Sequence, residues 1–378
     1  MTRRIRVAVL FGGRSGEHEV SLQSAASILR ALDRERFEPV PIGITKEGRW
    51  LLPADAARAL EEGLASMEGR YLAFRPEPGA RGGLIAVDGP DGGAAGGPGL
   101  VDVDVVFPVL HGTYGEDGTV QGLLELAGIP YVGSGVLASA LAMDKAMQKD
   151  LFRQKGIPVP DYTLVRAREL ETDFEGVVRR LEEGFAYPMF VKPANLGSSV
   201  GITKAHDRAE LAAGLRLAAQ YDRRLVVEEA IDGREIECSV LGNEEPVASL
   251  PGEVVPGHEF YDYEAKYIDD SSRLIIPAEL DAATTARIQE LAVQSFLALD
   301  ASGLARVDFF LERRTGRVLV NEVNTMPGFT RISMYPKLWE ASGLPYTELL
   351  TQLIELAFER HRARAALRTD YRPNSGGC

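Results

Sequence analysis

LARVDFFLERRTGRVLVNEVNTMPG, residues 304–328, places two β-prone runs on either side of a turn-like break at Arg313-Arg314-Thr315-Gly316. Folded back about Thr315, the runs pair Asp308 with Glu322 and Arg306 with Asn324. Side chains alternate along a strand, so Arg306 and Asp308 share a face, as do Glu322 and Asn324. The opposite face sets Val307 against Val323 and Leu311 against Leu319. One face is core; the other gathers two carboxylates, an amide and a guanidinium. Such oxygens suit Mg²⁺, a hard ion that takes one or two carboxylates and leaves its other positions to water and phosphate. An exposed sheet face held by cross-strand ion pairs is the plain alternative. The Met326-Pro327-Gly328 turn that follows favours a ligand, because glycine lets backbone approach one closely.

The hairpin belongs to a chain of 378 residues, too long for one ordinary core and suited to two or three domains. With 45% hydrophobic and 26% charged residues, its composition is that of a soluble globular protein. A net charge of −13 argues against nucleic acid as a partner. An acidic protein that binds a polyphosphate must gather its useful cations locally and recruit a divalent metal. The opening MTRRIRVAVLFGG is too short for a signal peptide and no run is long enough to cross a bilayer, so no membrane is expected. Cys238 in an apolar run and Cys378 in a Gly-rich tail offer no disulfide framework, which fits a reducing, cytoplasmic compartment.

Upstream, strands and helices alternate. Residues 5–11 read as a strand buried on both faces, a helix follows near 18–32, and strands are expected at 39–44, 103–110 and 129–133. This predicts an α/β layer with a mostly parallel sheet. The Gly- and Pro-dense stretch 79–99 reads as a surface loop or loose hairpin without chemistry. One helix is expected over 137–155, then a small α+β unit with strands at 188–192 and 225–231. Beyond 233 the pattern is strand-rich, interrupted by a helix at 281–299 and closed by one at 345–367. Three lobes result: 1–136, 137–231 and 232–378.

Three loops between these elements are polar and rich in small residues. FVKPANLGSSVGITKA (190–205) ends a strand at Lys192 and turns through Gly197-Ser198-Ser199-Val200-Gly201, whose amides and hydroxyls can close over phosphate oxygens. It lacks the Gly-Lys-Ser/Thr ending of a Walker A loop, and a turn without ligand is an equal reading. Lys145 and Lys192 are surface lysines unless both converge on a polyphosphate. GGRSGEHEVS (12–21) starts a helix after a buried strand, a place that attracts anions, but it lacks the dinucleotide glycine order. Glu17 in its mouth disfavours phosphate and favours an ammonium ligand; compensation of the helix dipole is the alternative. HGTYGEDG (111–118) lies at a strand's C-terminal end, where open α/β sheets bind ligands, so His111 is a substrate contact or a structural loop histidine.

GGRSGEHEVS, HGTYGEDGTVQG, MDK, VKPANLGSSVGI, EIECSVLG, YDYEAKY, ARVDFFL and NEVNTMPGFTRISMYP, in that order over roughly residues 5–355, resemble the D-alanine–D-alanine ligases of the ATP-grasp superfamily. The resemblance implies a three-lobed ATP-grasp fold, α/β and α+β, with an N-terminal parallel α/β domain holding the first D-alanine. ATP would lie between the central and C-terminal lobes. Lys145 and Lys192 would contact its phosphates, under a loop lined by Ser198, Ser199 and Val200. Glu228, Ala230 and Ile231 would hold the adenine edge and Glu235 the ribose. Asp308, Glu322 and Asn324 would bind two Mg²⁺ or Mn²⁺ ions; whether a monovalent cation assists stays open. Glu17 would hold the first D-alanine's ammonium, with His111 nearby. Arg306 and the Gly328 amide would stabilise oxyanions, and Lys266 and Ser333 would receive the second D-alanine's carboxylate. Glu17, Ser198, Tyr267, Arg306 and Gly328 form the implied catalytic set, and the family implies a homodimer.

The implied reaction, part of peptidoglycan precursor synthesis, has two steps. The first D-alanine's carboxylate attacks the γ-phosphate of ATP to give an acyl phosphate, and the second D-alanine's amine then displaces phosphate. Positioning and electrostatic stabilisation suffice, without a protein nucleophile. Relatives that use D-lactate resemble this family but carry histidine where Tyr267 stands. A neutral tyrosine does not repel an incoming amine, which predicts D-alanine as acceptor. Stretch 253–275 would form a lid. D-serine or D-lactate as acceptor, and a non-catalytic nucleotide-binding module, are the alternatives.

Overall fold

The computed structural model describes residues 3–64, 69–77, 83–87, 99–197, 199–257 and 273–368. Ser198, Lys266, Tyr267, most of the expected lid, most of the Gly-rich insert and the tail after 368 lie outside the described residues.

The first sheet contains β1 (Ile5–Gly12), β2 (Phe37–Ile44), β3 (Trp50–Pro53), β4 (Gly69–Phe74), β5 (Leu84–Val87), β6 (Gly99–Val101) and β7 (Val105–Pro108), in the order β6-β5-β4-β3-β2-β1-β7. β1 runs parallel to both β2 and β7, as the apolar run at 5–11 predicts. The other four ladders are antiparallel, so the sheet is parallel only in this part rather than mostly parallel. Short connections such as 45–49 permit only antiparallel neighbours, since a parallel return needs a long crossover. The expected strand at 129–133 is a single bridge, Val106 to Tyr131.

Alternation along β1 and β7 feeds two cores. Ala8, Leu10 and Val106 face Val120 and Leu124 of α3 (Thr119–Ala127). Val7, Val9, Phe11 and Phe107 face Ala25, Ile28 and Leu29 of α1 (His18–Ala31) and share their core with Ala59 of α2 (Ala56–Glu62) and with Phe329, Tyr335, Leu349 and Leu353 from far along the chain.

The expected helix at 137–155 is two, α4 (Val136–Met143) and α5 (Lys145–Gln154). They break at Asp144, whose extended backbone (φ −91°, ψ 104°) lets its carboxylate accept from the Ala146 and Met147 amides, an N-cap that also pairs with Arg224. Lys145 therefore opens a new helix instead of riding mid-helix.

A four-stranded antiparallel sheet follows: β8 (Tyr162–Arg166), β9 (Met189–Pro193), β10 (Thr203–Ala205) and β11 (Arg224–Glu229), ordered β10-β9-β11-β8. It is backed by α6 (Ala167–Gly184) and α7 (Arg208–Ala218) through Val177, Leu181, Leu211 and Leu215.

The third sheet holds β12 (Gly233–Gly242), β13 (Val247–Ala248), β14 (Gly252–Val255), β15 (Arg273–Ile275), β16 (Gly303–Glu312) and β17 (Val318–Asn324), ordered β15-β14-β12-β16-β17 with β13 on β12. Ile288, Leu291 and Phe296 of α8 (Ala282–Ala298) cover one face by packing on Ile236, Val240, Val307, Phe309 and Val320. The other face is left for chemistry. The helix α9 (Met334–Ala341), not anticipated from the sequence, and the long α10 (Tyr346–Ala365) complete the chain. Among the described residues no helix is long and apolar enough to cross a membrane.

Candidate active site

Beyond the turn, β16 and β17 pair as the sequence predicts, with Asp308 opposite Glu322, Arg306 opposite Asn324 and Val307 opposite Val323. Nearer the turn the expected facing of Leu311 and Leu319 is wrong. Leu311 faces Val318 and Phe310 faces Leu319, because a register shift after Asp308 leaves Asn321 as the extra residue of a bulge. On the other side, β12 sets Glu237 opposite Asp308, so Glu237, Asp308 and Glu322 stand in one row across three strands.

Like charges side by side repel, and two cations relieve this row. The Arg306 guanidinium donates to both Asp308 oxygens at 2.6 and 2.7 Å and lies 3.0 Å from Glu237. Lys145 Nζ lies 3.2 Å from Glu322 and donates to the Leu196 carbonyl at 2.8 Å. Burial opposes the Lys145 charge, but Glu322, with Glu228 and Glu116 farther off, outweighs burial and raises its pKa. The Asn324 amide nitrogen donates to Asp308 at 3.0 Å, which leaves its oxygen as an acceptor. Among the described residues no three His, Cys, Asp or Glu side chains converge as a metal cluster. Two carboxylates and an amide oxygen still fit Mg²⁺, which needs few protein ligands.

This row forms one wall of a cleft of about 500 Å³ between the second and third sheets. Lys145, Lys192, Ser199, Ala230, Ile231, Glu235, Asp308 and Glu322 all line it, so most of the expected nucleotide residues converge. Val200 lies next to Ser199 in a tight turn closed by its own amide on the Gly197 carbonyl at 3.3 Å. Glu228, expected at the adenine edge, is buried beneath the cleft with its carboxylate between two ammonium groups, Lys192 and Lys149. Burial alone would raise its pKa, yet Lys149 and Lys192 overcome that and lower it.

Lys149 was not singled out from the sequence. It is fully buried, 3.2 Å from Glu228, and donates to the carbonyl of the bulged Asn321 at 3.1 Å. The signal was present: Lys149 is one helical turn after Lys145 and so shares its face. Glu237 was missed too, although it alternates with Glu235 on β12 and must point to the same side.

Glu17 is buried at the N-cap of α1 without a side-chain cap bond, a place where its charge also offsets the helix dipole. Its carboxylate sits between Gly112 and Gly197. A Cβ at either would come within 2.6 Å of Glu17 Oε2, so both loops need glycine to admit it. His111 is buried with both ring nitrogens engaged, Nδ1 to the Met326 carbonyl at 2.9 Å and Nε2 to Ser24 Oγ at 3.2 Å. Burial lowers its pKa, and the neutral ring satisfies both partners: Nδ1–H donates and Nε2 accepts. It is a structural histidine in this arrangement, and a direct substrate contact would have to displace one of these bonds. Gly328 and Ser333 are adjacent, since a Cβ on Gly328 would lie 2.7 Å from Ser333 Oγ. Ser333 itself accepts from the Thr330 amide at 3.0 Å.

Glu116, another residue the sequence reading passed over, accepts from the Gly112 amide at 2.8 Å and the Met326 amide at 3.2 Å. Desolvation, reinforced by the negative charge of Glu17, pushes its pKa up to about 8 from an ordinary 4.5. The folded protein therefore holds a proton here that the unfolded chain releases. The favourable contribution is complete below pH 4.5 and is lost as pH rises through about 8. Denaturant unfolding of wild type should weaken with pH across this window more steeply than that of Glu116→Gln. Parallel slopes would remove this carboxyl from the account.

A family model described as D-ala D-ala ligase N-terminus matches residues 6–134, and one described as D-ala D-ala ligase C-terminus matches residues 151–355. A D-alanine--D-alanine ligase of Acetivibrio thermocellus is 52% identical over 366 residues, covering 94% of this chain and 96% of that protein. Among solved structures, the D-alanine-D-alanine ligase from Coxiella burnetii superposes with a TM-score of 0.81 at 40% identity, over 96% of each chain. The VanG D-Ala:D-Ser ligase from Enterococcus faecalis gives 0.81 at 38% identity, over 94% of this chain and 100% of that one. A D-alanine--D-alanine ligase from Bacillus anthracis complexed with ATP gives 0.70 at 30% identity, over 96% and 100%.

Proposed function

Because the chain belongs to the D-alanine–D-alanine ligase family, with the ATP-grasp fold, we propose that it joins two D-alanines into D-alanyl-D-alanine at the expense of ATP, for peptidoglycan precursor synthesis. One observation carries the site reading: Asp308 and Glu322 stand directly opposite each other beside Lys145, in a cleft that Lys192 also lines. Hard oxygens next to two lysines suit a metal-bound polyphosphate far better than a plain polar sheet face.

ATP occupies this cleft, with Lys145 and Lys192 against its phosphates, Ser198, Ser199 and Val200 above them, Ala230 and Ile231 beside the adenine and Glu235 at the ribose. Asp308, Glu322 and Asn324 would hold two Mg²⁺ or Mn²⁺ ions, which supply charge neutralisation to the triphosphate when bound. Glu17, buried and flanked by glycines, holds the ammonium of the first D-alanine and so aims its carboxylate at the γ-phosphate. Arg306, fixed in plane by both Asp308 oxygens, and the Gly328 amide face the oxyanion that develops at the acyl carbon. Ser333, next to Gly328, and Lys266 receive the second D-alanine's carboxylate, whose neutral amine enters past Tyr267. The catalytic set is thus Glu17, Ser198, Tyr267, Arg306 and Gly328. The cytoplasm as location and a homodimer as assembly complete the reading, both on the strength of the resemblance.

The similarity to VanG keeps a D-Ala:D-Ser ligase as second reading, but 52% identity to a D-alanine--D-alanine ligase against 38% to VanG favours D-alanine as acceptor. Phosphate release from Mg-ATP, with products resolved chromatographically, separates them. D-alanine alone should release phosphate and yield the dipeptide, while L-alanine should not. Adding D-serine or D-lactate should give little mixed product at neutral pH. ATP turnover indifferent to the amino acid would defeat the ligase reading; a dominant mixed product would replace the acceptor.

A further inference from the structure

The segment Met326-Pro327-Gly328-Phe329 follows β17, yet side chains from the first lobe hold its backbone. Glu116 accepts the Met326 amide at 3.2 Å, and His111 Nδ1 donates to the Met326 carbonyl at 2.9 Å. Ser24 Oγ accepts the Phe329 amide at 3.1 Å and in turn donates to His111 Nε2 at 3.2 Å. Both sides of Met326 and the residue after Gly328 are thereby pinned. The other Glu116 oxygen takes the Gly112 amide at 2.8 Å, in the loop that packs against Glu17.

We propose that Glu116 is a positioning residue that locks the Gly328 amide in place for the developing oxyanion and ties it to the loop beside the first D-alanine. The inference rests on the ligase reading above. A carboxyl group suits this task because each of its two oxygens keeps a lone pair for an amide, even when one of them carries the proton. A glutamine keeps the shape but presents an NH₂ to one of the two amides, where two donors then meet. An oxyanion donor works only when it is fixed before the charge develops, so a small loosening of the segment falls on the chemical step.

The test uses the full chain with Glu116→Gln and Ser24→Ala, singly and together. For Glu116→Gln, kcat should fall roughly 10–100-fold with the KM for ATP unchanged. Amide hydrogen exchange over residues 324–330 should accelerate while exchange in β16 stays slow. Because both side chains serve one segment, the double variant should lose less than the product of the single losses. An unchanged kcat with unchanged exchange overturns the proposal. A raised KM for the first D-alanine with kcat intact also overturns it, because Glu116 would then serve the ammonium pocket. If wild type releases no phosphate with D-alanine, the ligase reading fails by itself, and the exchange rates still decide whether Glu116 clamps the segment.

Discussion

Arg306→Ala is expected to lower kcat about 10²–10³-fold, the cost of roughly 2.7–4 kcal/mol that loss of one preorganised oxyanion donor carries. ATP binding should change less, because Arg306 faces the reacting acyl group rather than the lysine end of the cleft. The substitution also touches stability. Arg306 neutralises Asp308 and Glu237, which stand opposite each other on neighbouring strands, so its removal leaves two partly buried carboxylates facing. Single-turnover rates and a denaturant melt on the same sample separate the two effects. Arg306→Lys keeps a charge but not the planar two-pronged grip, and should restore the melt more than the rate. A rate unaffected by alanine would remove Arg306 from the chemistry.

Phe329→Ala should cost about 3–5 kcal/mol of stability, the usual range for emptying a fully buried phenylalanine site. Its ring meets Phe107 edge-on at 5.8 Å, lies 5.6 Å from Tyr335 and stacks with Tyr346 at 6.4 Å. These partners come from the first sheet, α9 and α10, so no single element can close over the cavity. Urea unfolding followed by tryptophan fluorescence reads it through Trp339, part of the same core. A midpoint within error of wild type would mean that the site collapses freely or that the packing is looser than described.

The chemistry-bearing face of the β16–β17 hairpin was legible because strand alternation is local and strict. The cross-strand pairing came out right beyond Asp308, although the assumed centre at Thr315 ignored the bulge. The real turn closes one residue tighter, and Asn321 restores the count before Glu322 is reached. The break at Asp144 escaped the helical reading because apolar periodicity carries on across it, and only the cap chemistry of Asp144 marks it. Strands β3 to β6 were harder still, since their pairing depends on short turns rather than on any periodic signal. Glu116 and Ser24 act on backbone 210 and 305 residues away, and nothing in a local pattern encodes such a partner. Lys149 differs: its spacing from Lys145 announced the face, but not the carbonyl 172 residues downstream that it would meet.

The packing of Phe329, Tyr335 and the residues Leu349–Ala357 onto Val7, Val9 and Phe107 has a consequence for how the protein is made. The side of β1 that α1 begins to cover is completed only by residues far along the chain, Phe329 onward. Until translation reaches those residues, part of that apolar side stays in water, so the first sheet finishes folding late. Shortening the chain before Leu349 would therefore harm the region farthest from the cut in sequence.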